Sequence, residues 1–253
     1  WQVARKVETD WNMSPAKPTA LLEGRYEAES ARESVLSAAA FEQRYQLYHA
    51  MFAGSIGYAY GHKRIWRMST GDESWRDALN DPGRTSMVHL RTLFAGVDDV
   101  QLLGRMPDQA LIEGGTGSAE REDLIVAMRG GGGEFAFAYS TNGRNIPVNL
   151  AKLATGTADA FWFNPRTAEF ADNGGGRATG AFREVPAGVG ASVAIFDPPG
   201  LPGAGNDWVL KLIVRGTALP PSTTSPPRGG DIVLRAASAW IVGDEGHDDV
   251  HAA

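Results

Sequence analysis

Near residue 100 the apolar residues of this chain stop recurring at helical spacing and begin to alternate. Before that point Phe41, Tyr45, Tyr48 and Phe52 fall at i, i+4, i+7 and i+11, the stripe of one helix face, and predict a helix from about Ala31 to Ala53. Ahead of it, KPTALLEGRYE (17–27) has a short apolar centre at Ala20 to Leu22 between a proline and a glycine, which reads as a buried strand ending in a polar loop at Glu23 to Glu27. The small-residue segment AGSIGYAYGH (53–62) is a second strand candidate, with glycine where backbone packs closely. SWRDALNDPGRTSMVHLRTLFAG (74–96) is helical in pattern on both sides of Asp81-Pro82-Gly83, which must interrupt it. The order is strand, helix, strand, helix.

Beyond residue 100, DLIVAMRG, GEFAFAYS, IPVNLAKL, ADAFWFNP, ASVAIFDP and DWVLKLIVRG are each bounded by Gly, Pro, Asn or Asp, at spacings suited to an antiparallel sandwich. ALPPSTTSPPRGG then reads as an extended linker, followed by one more strand candidate, DIVLRAASAWIVG, and an acidic end. The expected division is therefore 1–99, 100–217 and a linker with terminal strand and tail over 218–253.

With 253 residues, 43% hydrophobic and 21% charged, the chain has the apolar content for a core in each of two units. The net charge of −6 spreads over both halves, leaving no basic stripe for a phosphate backbone and no polybasic run for anionic lipid, so neither nucleic acid nor membrane is an expected partner. Cysteine is absent, which excludes disulfide staples, thiolate metal sites and a cysteine nucleophile. No stretch approaches the roughly 18 to 20 apolar residues of a membrane span. WQVARKVETDWNMSP has neither a basic nor an apolar leader region, so any export signal is expected outside this sequence.

KPTALLEGRYE, then R-x-x-x-Y in RYQLY (44–48), then FAGSIGYAYGHKRIW (52–66), resembles in order and spacing the end of the catalytic domain of apiosidase-like glycoside hydrolases, family 140. In that family the barrel is followed by a β-sandwich named for collagen binding, and FWFNPRTAEF (161–170) and NDWVLKL (206–212) look like its strands. The resemblance implies the last two βα units of a (β/α)₈ TIM barrel over 1–99, an α/β part, followed by an all-β antiparallel β-sandwich. It matches Glu23 to the strand-seven nucleophile of the family word E-P-x-Y-E, with Gly24 standing where the family has proline and with Tyr26 and Glu27 completing the word. Arg44, Tyr48, Tyr60, Gly61, His62 and Trp66 match positions around the sugar pocket.

Glycosidic cleavage needs one carboxylate at the anomeric carbon and a carboxylic acid to protonate the leaving oxygen. In a (β/α)₈ barrel such groups project from the carboxy ends of the strands, where Glu23 falls if Ala20 to Leu22 form strand seven. Tyr26 is expected to hydrogen-bond the nucleophile, and Arg44 to hold it ionised. Tyr60 joins the pocket, His62 donates to sugar hydroxyls, and Trp66 offers a flat face for a sugar ring. Taken without the resemblance, a Glu at a strand end is an ordinary loop residue. Glu27, where a helix begins, is expected to complement its dipole from behind the pocket, and Tyr48 is read equally as core packing or as support for the pocket.

Elsewhere structural readings prevail. Gly130 to Gly133 lacks the Lys-Ser/Thr pair of a phosphate loop and reads as a hairpin turn. His247 and His251, with Asp244, Glu245, Asp248 and Asp249, have the residue types of a divalent-metal site but read rather as a solvated acidic tail, Trp162 and Trp208 read as sandwich core, and His49 and His89 sit in predicted helices with no paired ligand in view. No metal or other cofactor is expected. A closed barrel needs eight strands and only two are seen, so the general acid and the remaining strands are expected from an upstream segment or companion chain, without which the chain is inactive. The expected substrate is a carbohydrate polymer, which implies an extracellular or periplasmic setting. The alternative is a carbohydrate-binding or adhesion module in which residues 100–217 do the work.

Overall fold

A computed structural model describes residues 2–15, 17–29, 36–71, 74–118, 123–171 and 181–216. The linker, terminal strand and acidic tail expected over 218–253 lie outside the described residues, as does the start of the helix expected from Ala31. Among the described residues no helix is long and apolar enough to cross a membrane.

Helix α1 (Val3–Trp11) opens the chain and buries Ala4 and Val7. Sequence reading did not anticipate it, although Val3, Val7 and Trp11 stand at i, i+4 and i+8. The Trp11 ring lies over Gly54, where a Cβ would come within 2.6 Å of it, and Gly54 also has φ of 112°, which a side chain resists.

Residues 19–27 then run parallel to 56–63. The Leu21 amide donates to the Gly57 carbonyl at 3.1 Å and the Leu21 carbonyl accepts from Ala59 at 2.9 Å; the Glu27 amide likewise donates to Gly61 and the Glu27 carbonyl accepts from Lys63. Pairing is confined to two bridges, Leu21 with Tyr58 and Glu27 with His62. The expectation that Ala20 to Leu22 are buried is corrected here. Successive side chains of an extended segment point to opposite faces, so Leu21 packs on the core while Leu22 is 76% exposed.

Helix α2 (Leu36–Phe52) connects the two parallel segments and is buried on every face from Gln43 to Phe52. After the second segment come α3 (Lys63–Trp66), α4 (Trp75–Ala78), α5 (Pro82–Phe94) and α6 (Asp99–Leu103). Asp81-Pro82-Gly83 does separate two helices, because Asp81 is the N-cap of α5 and Pro82 opens its first turn, where no helix uses the missing N–H.

Among the described residues nine strands follow: β1 (Met106–Pro107), β2 (Ile125–Arg129), β3 (Phe135–Ser140), β4 (Ile146–Asn149), β5 (Gly156–Asn164), β6 (Glu169–Phe170), β7 (Arg183–Ala187), β8 (Val193–Phe196) and β9 (Trp208–Val214). All pair antiparallel: a seven-stranded sheet runs β1-β2-β3-β9-β5-β6 with β7 also on β5, and β4 pairs with β8 in a separate sheet. Gly130 to Gly133 is the β2–β3 turn, closed by the Gly133 amide on the Gly130 carbonyl at 2.9 Å.

The large sheet is covered on both faces. Ala127, Ala138, Ala160, Trp162, Trp208 and Leu210 meet Ile146, Val148 and Phe196 of the small sheet, so both tryptophans are core as expected. The opposite face, with Val126, Met128, Phe137, Tyr139 and Val209, packs on α1, α2 and α5 in one continuous core. Tyr48 of α2 stacks on Tyr139 with ring centroids 4.8 Å apart, and Phe52 on Phe137 at 6.1 Å.

Candidate functional site

The loop that leaves the first parallel segment, Glu23 to Glu29, forms one wall of an open cleft of about 1050 Å³, whose facing wall is α1 through Lys6 and Asp10. Glu23 is exposed on this wall. The Tyr26 hydroxyl donates to Glu23 Oε1 at 3.1 Å, and this bond, with the charges of Glu23 and Glu29 nearby, raises the Tyr26 pKa and keeps the phenol a donor. The Tyr26 ring is seated against Gly61, where a Cβ would approach it to 2.5 Å, and edge-on to Trp66 with centroids 6.4 Å apart. Trp66 remains 68% exposed. Glu29 Oε2 accepts the Tyr26 amide at 3.2 Å, so two carboxylates of the cleft are tied to one tyrosine.

A second cluster lies beneath. Glu27 is fully buried and accepts from the Tyr60 hydroxyl and from the Gly83 amide at 3.0 Å. Burial pushes its carboxyl above the usual range, against the lowering effect of the Tyr60 and Gly83 hydrogen bonds. A carboxylate is thus placed at the N-terminus of α5, while the start of the helix next in sequence lies outside the described residues. His62 is also buried: Nδ1 accepts the Arg64 amide at 3.1 Å, so the proton is on Nε2, which donates to Asp81 Oδ2 at 2.9 Å. Arg64 pairs with the same carboxylate.

The structure thus brings Glu23, Tyr26 and Trp66 together and separates the other candidates from them. The expectation that His62 donates to sugar is corrected, since both ring nitrogens are engaged and the ring is 2% exposed. Tyr60 directs its hydroxyl onto Glu27. Arg44 does not serve Glu23: its Nε and one terminal nitrogen each donate to Asp207 at 2.9 Å, deep under the sheet. Tyr48 is fully buried beside that pair, where desolvation raises its phenol pKa, and its role is packing. His49, also buried, meets Thr141 Oγ1 at 2.8 Å, and burial lowers its pKa to about 3. Sequence reasoning missed Gln43, Gln46 and Gly83, whose partners lie on other elements and leave no spacing signature. Among the described residues no group of three or more His, Asp or Glu is placed to hold a metal ion.

Residues 1–100 match the family model described as "Apiosidase-like, catalytic domain", and residues 106–213 match "Putative collagen-binding domain of a collagenase". A solved structure named "Glycoside hydrolase" is 27% identical with a TM-score of 0.70, over 85% of this chain and 46% of its own. A family 5 glycoside hydrolase from Bacteroides vulgatus is 24% identical with a TM-score of 0.72, over 94% of this chain and 49% of its own, a likeness of fold. The chain spans less than half the length of either structure. Comparison with curated proteins gives no match. Two family models thus match this chain in order, an apiosidase-like catalytic domain over residues 1–100 and a putative collagen-binding domain over residues 106–213, and the similar solved structures are named as glycoside hydrolases.

Proposed function

We propose that this chain contributes part of the active site of a retaining, apiosidase-like glycoside hydrolase acting on side chains of plant-wall or related polysaccharides, with Glu23 as the nucleophilic carboxylate. The observation that carries the reading is Glu23 on the wall of the cleft with the Tyr26 hydroxyl on its Oε1. A carboxylate held by a neutral donor keeps one oxygen oriented while the other attacks the anomeric carbon, and the resulting glycosyl ester is then released by water. Trp66, exposed and braced on Tyr26, offers a flat apolar surface for a sugar ring.

In this reading residues 1–99 are the last two βα units of a (β/α)₈ barrel, supported by two parallel bridges flanking α2. Residues 100–217 are a β-sandwich accessory domain, supported by the two packed antiparallel sheets. The general acid and the other strands come from an upstream or companion segment, and the chain alone does not turn over. Action on wall polymers makes the setting extracellular or periplasmic.

The test is to assay the chain alone and joined to its upstream region on aryl glycosides and plant-wall oligosaccharides. Hydrolysis is expected only in the joined protein, with a loss of about a thousandfold or more in Glu23→Gln. Hydrolysis surviving Glu23→Gln would contradict the assignment. Glycan binding without hydrolysis, unchanged when residues 1–99 are deleted, would instead indicate a binding module.

A further inference from the structure

We infer that Gln43 and Gln46 of α2 are positioning residues for the Glu23 loop, two buried amides that grip the main chain of Arg25 and so fix where Glu23 and Tyr26 stand. The inference rests on Glu23 being the reacting carboxylate. Gln46 Oε1 accepts the Arg25 amide at 2.7 Å, while Gln43 Nε2 donates to the Arg25 carbonyl at 2.8 Å. The remaining amide ends are also used: Gln43 Oε1 accepts the Tyr58 hydroxyl at 2.9 Å, and Gln46 Nε2 donates to the Glu42 carbonyl at 3.1 Å. Gln43 is fully buried and Gln46 is 2% exposed, positions where an unpaired amide costs about 1 to 3 kcal/mol, so each is stable there only with its partners in place.

Geometry ties this grip to the cleft. Leu21 and Glu27 bond the parallel neighbour, and Arg25, between them, is bonded instead by α2. Glu23 and Tyr26 flank that anchored residue, so rotation of the Arg25 peptide units would move both ends of the Tyr26–Glu23 hydrogen bond. Gln43 also joins the loop to the second parallel segment through Tyr58, so one helix sets the spacing of both. Gly24 completes the device. A Cβ there would stand 2.3 Å from Gln46 Oε1, so the glycine that replaces the family's proline is the space the amide occupies. Gly24 and Gln46 are a matched pair, and only an amide supplies an acceptor for the Arg25 N–H while its other end satisfies a helix carbonyl.

The test uses the joined, hydrolytically active protein with Gln46→Ala, Gly24→Ala and the double variant, an aryl glycoside as probe, and amide hydrogen exchange at Arg25. Gln46→Ala is expected to lower kcat about 10- to 100-fold with KM within about twofold, and to speed exchange at Arg25 while amides in β3 and β9 keep their protection. Gly24→Ala should do the same by displacing the amide, and the double variant should be no worse than Gln46→Ala alone. An unchanged kcat and unchanged Arg25 exchange in both single variants, alongside an inactive Glu23→Gln, overturns the positioning role and leaves the functional reading standing. Additive losses in the double variant overturn the matched pair. An active Glu23→Gln overturns the functional reading, whatever the exchange at Arg25 shows of the grip itself. Should Gln46→Ala fail to fold, the loop variant Gly24→Ala carries the same comparison.

Discussion

Arg44 and Glu23 look alike as sequence candidates and differ wholly in environment. The Tyr26–Glu23 hydrogen bond was legible because the two residues lie three apart in one word, whereas Asp207, the partner of Arg44, is 163 residues distant. No spacing rule reaches that far, and an Arg in a helical stripe gives no sign of which buried carboxylate it meets. Replacing Arg44 by Met should cost about 3 kcal/mol or more, because it leaves Asp207 buried with only the Tyr139 hydroxyl at 3.1 Å and Arg166 at 3.8 Å to offset its charge. Denaturant unfolding of the variant measures this, and KM in the joined protein should be unchanged; a raised KM with unaltered stability would return Arg44 to the pocket. The buried glutamines were invisible for a similar reason. Gln43 and Gln46 sit beside apolar stripe residues on a helix that periodicity treats as half-exposed, and it is burial on all sides that gives them their partners.

At the scale of elements, β2, β3, β5 and β9 could be read from alternation and their Gly, Asn and Asp borders, while β1 and β6 are too short at two residues each to carry a period. In β7 the exposed Arg183, Glu184 and Pro186 hide a strand that buries only Val185 and Ala187. Strand β9 shows what alternation conceals. Lys211 occupies a face that a two-sheet reading would leave to water, yet it is buried opposite Phe137 and its Nζ donates to the carbonyls of Leu93 and Ala95 at 2.8 and 2.9 Å, at the carboxy end of α5. Burial lowers its pKa from 10.5 to about 8. Above pH 8 the folded state has therefore released a proton that the unfolded chain still binds up to about 10.5, so this group makes stability rise with pH across that window. Unfolding free energies compared between the wild type and Lys211→Met should diverge in favour of the wild type from pH 8 to 10. Parallel curves would mean that Lys211 titrates as in water.

For the whole molecule, the two units recognised by a change of hydrophobic period do not own separate cores. Phe137 and Tyr139 of the large sheet are sealed by Phe52 and Tyr48 of α2, and Arg44 and His49 reach across to Asp207 and Thr141. A protein lacking residues 1–103 would present Val126, Met128, Phe135, Phe137, Tyr139 and Val209 to water, an apolar surface larger than soluble monomers keep. It should bind a hydrophobic dye and sediment as oligomers, whereas a monomer melting like the intact chain would show independent units. In the same packing α2 is at once the floor under the Glu23 loop and the roof over the sheet. Its consequence for chemistry is most directly tested by trapping. The joined protein is incubated with activated 2-deoxy-2-fluoro glycosides, digested and mapped by mass spectrometry. A single sugar ester on the peptide carrying Glu23 is the predicted result, and turnover with the label on another carboxylate, or with inversion and no label at all, would contradict it.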